Sequence, residues 1–251
     1  VIFCCIFINA SSQDQDSLKS LELKGYLSGL QTIMFQEMDK EWTTENLIHN
    51  RLNFNWYPFK NLTASVQLRN RFIYGETVKN NALYADAIGH DDGWLDCSFN
   101  IFSGESFVLN TTIDRFWVQY TAGHFETTIG RQRINWGQTY VWNTNDLFNV
   151  YSYFDVDYIE RPGSDAIRLK YYTGYTSSVE LAVKIDSSDR ITAAGMVHFN
   201  IHNYDIQLLG GIFNEEDYVA GIGWTGNIFN AGFRGEATYF HDISNFWDTT
   251  G

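Results

Sequence analysis

A chain of 251 residues with 17% aromatic residues and only two prolines favours extended, sheet-rich structure, because aromatic and β-branched side chains fit a pleated surface. A formal net charge of -13 argues against nucleic acid as a partner, since phosphate backbones recruit basic surfaces. The mean hydropathy of -0.26 is that of many soluble proteins, yet it leaves a membrane barrel open, because barrel strands are polar at every second residue.

The chain starts with an apolar run, Val1-Ile2-Phe3-Cys4-Cys5-Ile6-Phe7-Ile8, followed by Asn9-Ala10-Ser11-Ser12. This reads as the end of a secretory leader, so residues 1–12 are assigned as a signal remnant and 13–251 as the folded part. A buried first strand is the alternative. Phe3 before Cys4 does not suit a lipoprotein signal, which needs small residues there. Once the leader is removed, Cys97 is the last cysteine, so no internal disulfide framework is expected. No segment approaches the ~20 apolar residues of a transmembrane helix.

Beyond the leader the dominant signal is period-two alternation. Leu21, Leu23 and Leu27 oppose Glu22, Lys24 and Tyr26; Leu52, Phe54 and Trp56 oppose Arg51, Asn53 and Asn55. After a turn near Lys60, Leu62, Ala64, Val66 and Leu68 oppose Gln67, Arg69 and Arg71. Residues 75–106 have little periodicity and hold Asp86, His90, Asp91, Asp92 and Asp96. They read as a solvated acidic loop, not a calcium loop, because the spacing fits no standard calcium motif. Phe116, Val118 and Tyr120 then alternate, followed by a turn at Gly123 and by Phe125, Thr127 and Ile129. A second long connection runs to about residue 164, and six further strands follow, separated by turns near Gly174, Asp186, Asn203, Asn214 and Gly226.

That makes about eleven strands, each near the ~9–11 residues that span a bilayer at a tilt. Connections around Lys60, Gly123, Gly174, Asn203 and Gly226 are tight, whereas the alternate ones include both long segments and the acidic turns. This sorting, with aromatic residues such as Trp56, Tyr120, Tyr171, Tyr172 and Trp224 beside the tight turns, is the pattern of an outer-membrane barrel with an aromatic girdle. A soluble β-sandwich explains the alternation but not the sorting. The expected fold is all-β, a transmembrane antiparallel up-and-down β-barrel. An odd strand count and an end inside a loop lead us to expect an incomplete barrel, truncated before closure.

The polar parity would line the lumen. It carries Arg51, Arg69, Arg71, Arg115, Arg168, Lys170, Lys184 and Arg234, with Arg131 and Arg133 toward the long-loop end and the acids Glu126, Glu180 and Glu236. A wall rich in cations under acidic loops would select among ions; cross-strand pairing that stiffens the wall is the equally weighted alternative. Trp136, Tyr140, Trp142, Asn145 and Asp146 form the candidate constriction or mouth loop. His198 has no nucleophile or acid tied to it by sequence, and there is no phosphate loop, zinc spacing or nucleophile elbow, so no enzyme activity, cofactor or metal is expected.

Gly130-Arg131-Gln132-Arg133-Ile134-Asn135-Trp136-Gly137 and the later Asn145-Asp146-Leu147-Phe148-Asn149 resemble a largely uncharacterised family of Gram-negative outer-membrane porin-like barrels. Those share a G-R-Q-x-I-x-W-G segment and then N-D-x-F-N. Arg161-Pro162-Gly163-Ser164-Asp165 resembles that family's return into the next strand. The likeness covers about residues 123–172. It implies a barrel in the outer membrane of a Gram-negative bacterium, in contact with lipid, and no particular substrate. The expected function is a porin-like channel for passive diffusion of small polar or anionic solutes, with a trimer as one admissible assembly. The alternative is a surface barrel for glycan binding or adhesion, using Trp94, Trp136, Tyr140 and Trp142 as platforms.

Overall fold

A computed structural model of the chain describes residues 4–11, 20–35, 42–139, 143–149 and 162–243. The described chain is almost entirely strand: β1 (Cys4–Ser11), β2 (Leu21–Met34), β3 (Thr43–Phe59), β4 (Leu62–Gly75), β5 (Ser98–Gly104), β6 (Phe107–Ala122), β7 (Phe125–Gln132), β8 (Ser164–Tyr172), β9 (Ser178–Ile185), β10 (Ile191–Ile201), β11 (Tyr204–Phe213), β12 (Asp217–Ile228) and β13 (Ala231–Asp242). Two single-turn helices, α1 (Glu76–Asn80) and α2 (Tyr84–Ile88), interrupt the 75–106 segment. Twelve strands follow one another in chain order as an up-and-down antiparallel sheet, with β5 paired to β6 beside that path. Among the described residues the path is open, with β1 and β13 at its ends.

All eleven strands expected from alternation are present, and two more join them. The backbone of β1 pairs in continuous register with β2, from Cys4↔Gln31 to Ser11↔Lys24, in the manner of a first strand. β5 lies inside the segment read as a loop. Its register shifts between Asn100 and Phe102, leaving Ile101 and Phe102 both exposed. The bulge breaks the alternation that would have marked a strand.

The tight turns fall where the sequence put them except the last: Gly226 lies inside β12, paired with Phe233, and the chain turns at residues 229–230 instead. Strands β3 and β4 are joined through Lys60 and Asn61, β6 and β7 through Gly123 and His124, and β10 and β11 through His202 and Asn203. Both residues of that last turn have positive φ, 50° and 65°, the conformation that matches a two-residue hairpin to the twist of its strands. Residues 173–177 join β8 to β9, and residues 229–230 join β12 to β13. The opposite ends of the later hairpins carry residues 186–190, residues 214–216 and the long connection 133–163.

The chain divides into two compact units, Val1–Phe116 and Trp117–Gly251. In both, the apolar parity is the exposed one. In the first unit Leu52, Phe54 and Trp56 are exposed while His49, Arg51, Ser65 and Arg69 are buried. In the second, Ile129, Ile167, Leu181, Val183, Val197 and Leu208 are exposed while Thr128, Glu180, Thr192 and Gln207 are buried. A sandwich packed through its apolar faces would bury the first group and expose the second.

What covers the polar faces is chain from the long connections. In the first unit, Val78 of α1 packs with Leu47, Ile73 and Val108, and Tyr84, Ala85 and Ile88 of the α2 turn flank that cluster. In the second, Ile134, Trp136, Leu147 and Phe148 from the connection after β7 pack on Ala166, Ala182, Ala194, Met196, Leu209 and Val219. The strand positions under the connection are thus small or apolar within an otherwise polar parity, which leaves room for large side chains from above.

Candidate functional site

In the first unit the polar face is organised around Arg51, whose guanidinium is fully buried. Nη1 donates to Asp114 Oδ2, Nη2 to Gln67 Oε1 at 2.7 Å and Nε to Asn53 Oδ1 at 3.1 Å. Three acceptors on three strands match the fixed fork of an arginine, which a lysine could not reproduce. Arg71 donates to Asn110 Oδ1 at 2.9 Å and to the Ile88 carbonyl at 3.5 Å. Asn110, wholly buried, donates in turn to the Ile88 carbonyl at 3.0 Å and to Ser98 Oγ at 3.0 Å. The α2 turn is therefore tied to the sheet by polar bonds at its C-terminal carbonyl. Arg69 is buried on the same parity as Arg51 and Arg71.

Two acidic residues of the 75–106 segment, Asp91 and Asp96, are committed to turns. Asp91 accepts from the Gly93 and Cys97 amides at 2.8 Å each, and Asp96 accepts from the Ser98 amide at 3.0 Å. His90 Nδ1 lies 2.6 Å from Asp96 Oδ2. That hydrogen bond and the negative charge beside it raise the His90 pKa above 6.5. A raised folded value means that the pairing is complete below the unfolded pKa and is lost as pH rises through the folded one. NMR titration of the His90 ring should give a midpoint above 6.5, returned toward that value by Asp96→Asn. A wild-type midpoint at or below 6.5 would refute the pairing.

In the second unit the connection after β7 lies directly on the polar face. Four side chains at 3% exposure or less, Ile134, Trp136, Leu147 and Phe148, form its apolar root. Trp136 and Phe148 meet edge-to-face with centroids 4.9 Å apart. Burying each such side chain contributes on the order of 1.5–3 kcal/mol, so the root alone is worth several kcal/mol. Polar bonds fix its orientation. The Ile134 amide donates to Asn149 Oδ1 at 2.8 Å, and Asn149 Nδ2 donates to the Pro162 carbonyl at 2.6 Å. Ser164 Oγ and Lys184 Nζ both donate to the Phe148 carbonyl, at 2.6 and 3.0 Å. Gln207 Nε2 donates to the Trp136 carbonyl at 2.8 Å.

Below Trp136 stands an ionic group. Glu180 accepts from Trp136 Nε1 at 3.2 Å and pairs with Arg168 Nε at 3.3 Å and Lys170 Nζ at 2.7 Å. Arg168 Nη2 also reaches Glu126 Oε1 at 3.4 Å, and the Tyr172 hydroxyl donates to the other Glu126 oxygen at 3.4 Å. Glu126, Arg168, Lys170 and Glu180 thus brace β7, β8 and β9 across one face, the cross-strand pairing weighed against a bare cationic wall.

The remaining expected residues fall in different places. Arg131 does not share the polar parity: its register partner is Asp165, and its neighbours in parity are the exposed Ile129 and Ile167. Arg131 Nε and Nη2 take the two Asp165 oxygens at 2.8 Å each, a bidentate pair that holds the end of the β7–β8 ladder. Placing Arg131 on the pore wall is therefore corrected by a simple parity count from Thr128. Arg133 is half-buried beyond the end of β7. Arg115 is half-buried where the phase of β6 changes, since Asp114 is buried and Phe116, of the same parity, is exposed. Arg234 is exposed on β13, two residues from Glu236. Asn145 and Asp146 are buried with the loop root, and Trp136, at 3% exposure, offers no platform to a sugar. Tyr140 and Trp142 lie outside the described residues, as does Arg161.

Several partners carried no sequence signal. Asp114 precedes the alternation by which β6 was recognised, and Gln207 pairs with Trp136 over 71 positions of chain. Asn149 ends the N-D-x-F-N segment, but its role as the bolt between the Ile134 amide and the Pro162 carbonyl arises only when the chain folds back at residue 162. No family model and no curated protein matches the chain.

Proposed function

We propose that this chain is part of an outer-membrane β-barrel of the porin-like kind its G-R-Q-x-I-x-W-G segment resembles, and that it passes small polar solutes, anions among them, by diffusion. One observation carries the reading: the exposed parity is aliphatic and aromatic along strand after strand, while the buried parity is polar and charged. Lipid accepts the first surface and a water-filled lumen the second. The connection after β7, resting on the polar face, would narrow that lumen.

The inner cations are mostly engaged, Arg51 by Asp114, Arg168 and Lys170 by Glu126 and Glu180, and Lys184 by a carbonyl. Braced charges move little toward a passing ion, so weak anion selectivity is expected. Purified protein that is stable only in detergent, and that gives steady conductance in planar bilayers, supports the channel. A monodisperse protein in plain buffer would end the membrane reading, and a silent bilayer with demonstrated insertion would end the channel. Within a conducting channel, Arg71→Ala should leave the reversal potential nearly unchanged, because Asn110 and the Ile88 carbonyl hold that guanidinium. A large shift would mean that Arg71 acts on ions directly.

A further inference from the structure

Glu236 was expected to line the pore as a charge, but its surroundings point to another task. Its two carboxylate oxygens accept from backbone amides on both sides of the mouth loop, Gln138 N to Oε2 at 2.8 Å and Asn145 N to Oε1 at 3.4 Å. These amides lie 98 and 91 positions away in the chain. The same two loop residues are held a second time by their side chains. Asn145 Nδ2 donates to the Ile222 carbonyl at 3.1 Å, Thr238 Oγ1 donates to Asn145 Oδ1 at 2.7 Å, and Thr225 Oγ1 donates to Gln138 Oε1 at 3.2 Å. The seat beneath them is made of glycine: a Cβ on Gly221 would stand 2.5 Å from Asn145 Oδ1, and one on Gly223 would stand 3.2 Å from Gln138 and Asn145. The two sides of the loop also meet directly, Thr139 Oγ1 donating to Asn143 Oδ1 at 3.0 Å.

We infer that Glu236 is a positioning residue, a staple that closes the neck of the loop on the glycine seat of β12 and thereby fixes how far the loop extends over the polar face. A carboxylate suits this because it offers two acceptors at one point, and an ionised acceptor binds an amide more strongly than a neutral one. The apolar root at Ile134, Leu147 and Phe148 anchors the loop independently, so the staple can open while the root stays docked. Its consequence for conduction rests on the channel reading above; the staple itself does not.

The test is amide exchange followed by NMR on the full refolded chain. In Glu236→Ala, exchange at the Gln138 and Asn145 amides should accelerate by about tenfold or more, while the Ile134 amide, bonded to Asn149, keeps its protection. Glu236→Gln removes the same charge but retains an acceptor oxygen, so its acceleration should fall between wild type and alanine. Unchanged protection of both amides in Glu236→Ala overturns the staple. Should Glu236→Ala loosen all three amides together, Gly221→Val decides, because it crowds Asn145 from the seat and leaves Glu236 in place. Acceleration confined to Gln138 and Asn145 then supports the staple, and none overturns it. In bilayers, Glu236→Ala should raise open-level current noise above that of Glu236→Gln. Equal noise in the two variants would make Glu236 a plain lumen charge, and a silent wild type would count against the channel alone.

Discussion

Arg51→Ala should lower the unfolding free energy by about 3–5 kcal/mol, the range for removing one partner of a buried ion pair. The pair is among the most enclosed groups of the first unit, its side chains 1% and 2% exposed. Truncation leaves the Asp114 carboxylate buried opposite a void, and Gln67 and Asn53 lose their donors in the same step. Arg51→Lys should recover little, since one ammonium cannot reach acceptors on β3, β4 and β6 at once. Arg51→Met with Asp114→Leu should recover more than either single variant, because no uncompensated charge remains. Chemical denaturation of the refolded protein in detergent gives these values. A loss below about 1 kcal/mol for Arg51→Ala would be that of an exposed pair, and would contradict the burial of this one.

The second large effect is expected at the loop root. Phe148→Ala removes a side chain at 1% exposure that stacks edge-to-face on Trp136 and packs over the small residues of β8 to β10. A truncation of this kind costs about 3–5 kcal/mol. Much of it should be felt by the loop, because Ala166, Ala182 and Ala194 beneath it are too small to refill the space. Undocking takes with it the backbone carbonyl that Ser164 and Lys184 hold. In a bilayer, the expected result is a larger and noisier conductance. Deleting residues 138–145 should also enlarge the conductance, here by shortening the loop while keeping Phe148. If neither change alters conductance, the loop does not narrow the conducting path, whatever its packing.

The two units obey one rule of sequence and differ in what covers them. Alternation was legible in every strand from β2 to β13 except β5, because a strand writes its two faces into adjacent residues. The choice of turns was legible for the same local reason, with Asn203 and Gly123 marking positions of positive φ. From those two signals came the antiparallel order, the identity of the polar parity and the placing of Arg51, Arg69, Arg71, Arg168, Lys170, Glu180 and Lys184 upon it. The strand hidden in the 75–106 segment was lost to its bulge, and Arg131 was misplaced although counting from Thr128 would have set it right.

What the alternation could not carry is what lies on the polar face. Whether a cation of the polar face meets water or a partner depends on side chains brought in from neighbouring strands, as Glu180 is brought between Arg168 and Lys170. Whether a long connection hangs outward or docks inward depends on the fit of Trp136 and Phe148 to a patch of alanines, and on a carboxylate more than ninety positions away. The strands and their two-faced chemistry were thus determined by the sequence itself, since neighbours along the chain suffice to specify them. The bracing of the polar face and the seating of the loop were decided only by tertiary structure, since contacts between distant residues depend on register and shape that no local pattern records.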